Sequence, residues 1–196
     1  QECLFEGMKA IFEHIGGVPT RIWFDNTSTI VTKVMKNGER NLTSDFIRFM
    51  EHYRFEAAFC NVNAGHEKGN VEGKVGYHRR NMLVPIPRFQ ELQEFNKNLL
   101  KQCEQDAARD HYRKEGTIED LHQKDKQALL ELPSAAFEAC SYIIVRTNGY
   151  GRVLLNKGLH EYSVSPKYAN CQVLIKVTAF DIIALDENYR EIVRHR

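Results

Sequence analysis

Two short apolar runs with a helix-spaced segment between them set the tightest limit on how this chain can fold. Arg21-Ile22-Trp23-Phe24 and Phe55-Glu56-Ala57-Ala58-Phe59-Cys60 read as strands. Between them, Thr43 or Ser44 can cap a helix that carries Phe46, Ile47, Met50 and Tyr53. After the second run comes a Gly-bearing loop, Asn61 to Lys68, and then a helix that continues through Tyr77, Arg79 and Arg80. The order is strand, helix, strand, loop, helix, which predicts an α/β core. Residues 27–42 hold an Asn37-Gly38 turn, and Ile30 to Met35 fits either a short helix or a hairpin strand.

An acid follows the first strand and another opens the last helix. Asp25-Asn26 ends the first apolar run, and Glu72 falls one turn into a helix expected to begin near Gly69. Hard divalent cations take oxygen ligands, and two ions held by carboxylates bracket a phosphodiester during in-line displacement. Asp25 and Glu72 are therefore candidate metal ligands and catalytic residues. Asp-Asn-Thr-Ser after a strand is also good turn and cap chemistry, so it is the order of elements that favours the metal role. Glu67 lies five residues from Glu72, shares no helical face with it, and is expected in the loop with His66.

The formal charge is only +1, from 27 basic and 26 acidic residues, so any attraction for nucleic acid must be local. From Lys68 to Arg80 the fixed cations Lys68, Lys74, Arg79 and Arg80 face a single acid, Glu72. Arg79 stands seven residues after Glu72, on the same helical face, where a guanidinium can grip a phosphate near the reacting one. The plain alternative is a solvated basic face.

Asp25-Asn26 after a strand, and Lys68-Gly69-x-Val71-Glu72 opening a helix, resemble the second and third acids of the integrase-type DDE transposases, in particular the IstA type of insertion sequences. The resemblance covers most of the chain. It implies a partial RNase H-like core over residues 1–85, a helical connector over 86–133 and a small SH3-like β-barrel over 134–196. It also implies two Mg²⁺ or Mn²⁺ ions, DNA as both transposon ends and target, a homo-oligomer, an AAA+ ATPase helper of the IstB type, and a nucleoid-associated place in the bacterial cytoplasm. The family's first acid lies on the opening strand of the sheet. Here only 24 residues precede Asp25, and ahead of the strand they read as one helix plus a turn, with Leu4, Phe5, Met8, Ile11 and Phe12 on one face and Gly16-Gly17 as the helix stop. The expectation is an N-terminally truncated fragment, inactive alone. The 46 residues between Asp25 and Glu72 exceed the family's usual spacing, and the surplus is placed in residues 27–42.

Pro85 and Pro87 break the helix bearing Glu72. Phe89, Leu92, Asn96, Leu99, Cys103 and Ala107 then recur at helical spacing, predicting a long amphipathic helix that ends near Gly116. Thr117-Ile118-Glu119-Asp120 is capping-box-like and opens a further helix stopped by Pro133. From Ala139 the period becomes two, and six short strands are predicted: 141–145, 151–155, 160–164, 171–177, 181–185 and 191–193. Tyr162-Ser163-Val164-Ser165-Pro166, Tyr168 and Arg194-His195-Arg196 resemble the family's C-terminal barrel, which would contact DNA or a neighbouring subunit through Arg146, Arg152, Lys157, Lys167, Arg190 and Arg194.

No apolar run approaches the roughly 20 residues that cross a bilayer. No phosphate-binding loop or nucleophile elbow is present, which excludes the common ATPase and hydrolase motifs. Five scattered cysteines without a C-x-x-C pair favour reduced thiols in a cytoplasmic protein. Two other function classes fit the same residues: a non-catalytic DNA-binding or assembly module, and an RNase H-like nuclease that cuts without joining.

Overall fold

Alternating strands and helices give a mixed α/β architecture in the computed structural model, which describes every residue except Asn37 and residues 62–64, and the backbone alone of residues 65–68, 70 and 71. In chain order the elements are α1 (Glu2–Ile15), β1 (Arg21–Phe24), β2 (Val31–Val34), β3 (Arg40–Leu42), α2 (Ser44–Tyr53), β4 (Glu56–Phe59), α3 (Gly65–Met82), α4 (Leu92–Asp106) and α5 (Ile118–Asp125). Six strands follow: β5 (Cys140–Arg146), β6 (Arg152–Leu155), β7 (His160–Ser163), β8 (Gln172–Thr178), β9 (Ile182–Leu185) and β10 (Glu191–His195). They form two compact units, residues 15–133 and residues 1–14 with 134–196.

In the unit of residues 15–133, β1 and β4 pair in parallel, from Arg21 opposite Glu56 to Phe24 opposite Phe59. Phe24 and Phe59 turn inward onto α2, whose Phe46 ring lies edge-on to Phe24 at 5.1 Å between centroids. Thr43 caps α2 by accepting the Phe46 N–H at 3.4 Å, and Arg54 ends it in the left-handed region at φ 60°. The buried stripe is Phe46, Phe49 and Tyr53, while Ile47, expected on that face, is exposed. The ambiguous segment before α2 is a strand: β2 pairs antiparallel with β3, and Ile30 and Val31 are buried. Asn37 of the expected turn lies outside the described residues, and Gly38 takes φ 86°.

Two helix boundaries differ from the sequence expectation. The helix bearing Glu72 starts at Gly65, four residues before Gly69, so residues 65–68 are helical in backbone rather than loop. Gly69 and Gly73 are thus interior, where each costs about 1 kcal/mol relative to alanine without breaking the helix. Conversely, α4 stops at Asp106 rather than near Gly116. Residues 107–117 fold into a loop closed by bonds from His111 N–H to the Gly116 carbonyl (3.0 Å) and Ile118 N–H to the Arg109 carbonyl (3.1 Å). The capping box forms between Thr117 and Asp120, and α5 runs only to Asp125 before a single 3-10 turn.

In the other unit, α1 buries Phe5, Met8 and Phe12, with Phe5 edge-on to Phe137 at 5.8 Å; Ile11, placed on the apolar face by its spacing, is exposed. All six expected strands are present. They do not close into the expected SH3-like β-barrel among the described residues: β10-β9-β8-β5 form one antiparallel sheet, and β6 and β7 form a separate hairpin. The two share a core of Val153, Val164, Val173, Ile175 and Ala184. The split has a local cause. The chain turns at Asn148, whose side chain accepts the N–H groups of Tyr150 and Arg152, and β5 spends its full length on β8, from Cys140 opposite Thr178 to Arg146 opposite Gln172. No disulfide joins the five cysteines. Among the described residues no helix is long and apolar enough to cross a membrane.

Candidate metal and nucleic-acid site

The carboxyl ends of β1 and β4 lie side by side, the usual place for a ligand on parallel strands. Asp25 leaves β1 at that end and is exposed. Along β1 the half-buried Ile22 and Phe24 alternate with the exposed Arg21 and Trp23, so Asp25 continues the outward face. Its Oδ1 accepts the Asn26 N–H at 2.7 Å, and its carbonyl accepts the Thr27 N–H at 2.8 Å.

A side-chain tie fixes this corner. The Asn26 amide donates to the Cys60 carbonyl at 2.9 Å, and the Cys60 N–H donates to the Phe24 carbonyl at 3.0 Å. Arg40, from β3, donates through Nε to Asn26 Oδ1 (3.1 Å), through Nη1 to the Gly38 carbonyl (2.6 Å) and through Nη2 to the Cys60 carbonyl (2.8 Å). Its guanidinium also lies 5.6 Å from the Phe59 ring centroid. The residue after Asp25 is therefore locked to the residue that ends the β4 run. Arg40 was missed in the sequence because Asn26 and Cys60, the partners that make the tie, lie 14 and 20 residues away and no local pattern links them.

From Cys60 the chain continues to α3, and Glu72 is exposed on that helix. The earlier start of α3 moves Glu72 from the first turn to about 10 Å along the axis from Gly65, at 1.5 Å per residue. Asp25 and Glu72 thus lie in one unit, one at the end of β1 and one on the helix that follows the paired strand. Among the described residues no group of three or more His, Cys, Asp or Glu side chains could hold a metal ion. The two carboxylates fit a hard divalent cation in kind, as oxygen donors, but are fewer than such an ion takes from a fully liganded site. The side chains of His66, Glu67 and Lys68 lie outside the described residues.

The remaining cations of the basic run divide. Arg79 and Arg80 are exposed, and the Arg80 guanidinium folds back toward Gly76. Lys74 is engaged: its Nζ lies 3.3 Å from Asp106 Oδ2 and 4.7 Å from the Tyr77 ring centroid. Asp106, the last residue of α4, also accepts the Tyr77 hydroxyl at 2.5 Å and Arg109 Nε at 3.2 Å. Partial burial works against its charge, but the bonds from Tyr77, Lys74 and Arg109 outweigh that and hold its pKa below the usual carboxylate value. The bond to Asp106, followed by desolvation, raises Tyr77 above its ordinary value. In the C-terminal sheets Arg152 pairs with Glu161 (3.0 Å) and Arg194 with Asp181 (2.8 Å) and Glu191 (2.7 Å), while Arg146, Lys157 and Arg190 are exposed.

No family model matches the chain. Individual proteins do. A transposase of Aminobacter aminovorans is 33% identical over 177 residues, 90% of this chain and 34% of that protein. A transposase for insertion sequences IS1326/IS1353 from Pseudomonas aeruginosa is 29% identical over 187 residues, 95% of this chain and 36% of its own length. A transposase for an insertion sequence element that is IS21-like, from Bacteroides fragilis, is 32% identical over 73 residues, 37% of this chain and 14% of that protein. The chain spans about a third of the length of the first two of these relatives. Over nine-tenths of its residues, then, this chain is similar to a stretch of bacterial transposases, one of them a transposase for insertion sequences.

Proposed function

We propose that this chain is part of the catalytic and DNA-binding portion of an IstA-type DNA transposase, with Asp25 and Glu72 as two of the carboxylates that hold Mg²⁺ or Mn²⁺. The observation that carries the reading is the position of Asp25 at the carboxyl end of β1, next to the parallel strand whose continuation is the helix bearing Glu72. The metal, when bound, activates the attacking oxygen and stabilises the leaving one. The chain's own residues do the rest. The Arg40–Asn26–Cys60 tie holds the Asp25 backbone, which fixes where its carboxylate can reach. Arg79, two turns from Glu72, provides an exposed guanidinium for a backbone phosphate, and Arg80 adds a second.

DNA in two roles, transposon end and target, an assembly of several copies, and an AAA+ helper of the IstB type complete the reading. Asp25 and Glu72 alone are too few, and further oxygen ligands are required to finish the set. The test has two arms. Manganese titration followed by electron paramagnetic resonance is expected to show weak binding that Asp25→Asn and Glu72→Gln each abolish; unchanged binding in both variants sinks the metal role. End-joining assays with a labelled 3′ end are expected to show no joining by these 196 residues alone. Mg²⁺-dependent joining that Asp25→Ala removes would contradict the incomplete ligand set, and cutting without joining would identify a nuclease instead.

A further inference from the structure

Beside the helix face that carries Glu72 lies a cleft of about 530 Å³, lined by Gly69, Gly73, Lys74, Tyr77, Arg109 and Tyr112. Its volume falls in the range of small-ligand sites, and its lining joins cations to aromatic rings. Gly69, Gly73 and Tyr77 recur at four-residue spacing and so form one strip of α3. A Cβ built on Gly69 or Gly73 meets nothing within 4 Å among the described residues, so the glycines leave open space on this strip.

The opposite wall comes from the loop after α4. There Tyr112 is 68% exposed, its ring is stacked against His111 at 4.8 Å, and the Arg113 guanidinium lies 5.1 Å from its centroid. His111 Nδ1 accepts the N–H groups of Arg113 (3.1 Å) and Lys114 (3.0 Å), which orders the loop that presents the tyrosine. Asp106 anchors both sides by taking Lys74, Tyr77 and Arg109 together. Among these groups Asp106 balances one of the two lining cations, Lys74 and Arg109, which leaves one positive charge over. Arg109 further sits 5.2 Å from the Tyr77 centroid.

We infer that this cleft binds an unpaired nucleotide of a DNA strand: the phosphate meets Lys74 and Arg109, and the base stacks on Tyr112. Cations with an exposed ring are what an extruded or single-stranded nucleotide needs, because every base offers a π-face while its backbone supplies the charge. A duplex offers only the charge. Asp106 is the positioning residue. The inference rests on the transposase reading, since it takes DNA as the ligand, and it adds that the DNA beside Glu72 is unpaired at this point.

The test is fluorescence anisotropy with two labelled duplexes of equal length, one blunt and one with an unpaired thymidine overhang. Wild-type chain is expected to prefer the overhang, and Tyr112→Ala to weaken binding of the overhang alone by about tenfold. Gly73→Leu fills the open space with a better helix former, so it is expected to keep or raise the melting temperature while losing the preference. Equal binding of both duplexes, unmoved by either variant, overturns the cleft and leaves the DNA reading standing. Failure of the wild-type chain to bind either duplex overturns both. Binding that tracks charge alone, weakened by Arg109→Ala but indifferent to Tyr112→Ala, assigns the cleft to a phosphate or acidic-peptide contact and overturns the nucleotide.

Discussion

Replacing Asp106 by alanine removes one acceptor from three donors at once, and the cost can be worked from their exposure. Lys74 and Arg109 have side chains 44% and 38% exposed, against 15% for Asp106. Water screens both ion pairs, and each contributes only about 0.2–1 kcal/mol. The short bond from Tyr77 adds to these, and its effects on the two pKa values describe one interaction, to be counted once. The total loss is about 1.5 kcal/mol, which lowers the melting temperature of a chain this size by about 4 °C. Asp106→Asn keeps an acceptor for Tyr77 and loses the charge, so about half the loss is expected. The pH dependence gives the sharper check. The folded pKa of Asp106 is depressed below 3.8, so its contribution is complete above that value and is lost as pH falls through the folded pKa. Thermal unfolding followed by circular dichroism should show wild type and Asp106→Ala apart at neutral pH and converging in strong acid. Tyr77 runs the other way: its pKa is raised from 10.0, so the bond holds below that pH and is lost as pH climbs through the folded value. A gap that is absent at neutral pH, or that stays constant into strong acid, would refute the shared-acceptor account.

Three further perturbations test the scaffold. Gly151→Ala puts a methyl group into the Ser165 carbonyl, with Pro166 N only 2.9 Å away, at a φ of +69°; a loss of about 3 kcal/mol in urea unfolding is expected, and a wild-type midpoint would contradict it. Thr147, 3% exposed, donates to the Tyr168 and Cys171 carbonyls and accepts the Cys171 N–H at 3.1 Å, so Thr147→Val should cost about 1–3 kcal/mol by calorimetry, whereas Thr147→Ser should cost less. Arg40→Met removes three donors from the β1–β4 corner; hydrogen exchange of the Cys60 amide is expected to accelerate more than that of amides within α2, and uniform acceleration would show that the tie is not local.

Local periodicity carried the elements and lost their ends and partners. The stripe Phe5, Met8, Phe12, the Thr117–Asp120 box and all six C-terminal strands were legible because each is written within a few residues. The closure of those strands was not. Alternation says that Tyr142 to Val145 is extended but not that its partners are Val173 to Lys176, some 30 residues on, rather than the nearer β6. The end of α4 was misread for a related reason. Cys103 and Ala107 continue a helical spacing, yet the Ala107 carbonyl is taken by Glu119 N–H at 2.9 Å, a partner that no helix pattern anticipates.

The candidate site shows the same division more sharply. Asp25 stands where the sequence places it, just after a strand, whereas Glu72, expected to open a helix, lies well inside α3. What surrounds them was not legible. A count of cations from Lys68 to Arg80 treats all of them alike, but a carboxylate elsewhere in the chain decides where each of them is held. Asp106, 32 residues beyond Lys74, claims that lysine, while Arg79 and Arg80 stay exposed. The same carboxylate draws Arg109 and Tyr77 to one wall, turning an undistinguished stretch, Arg109-Asp110-His111-Tyr112-Arg113, into the far side of a cleft. Charge on this helix is therefore set by a residue outside it, and substitutions at Asp106 should alter DNA binding without touching any residue of the basic run.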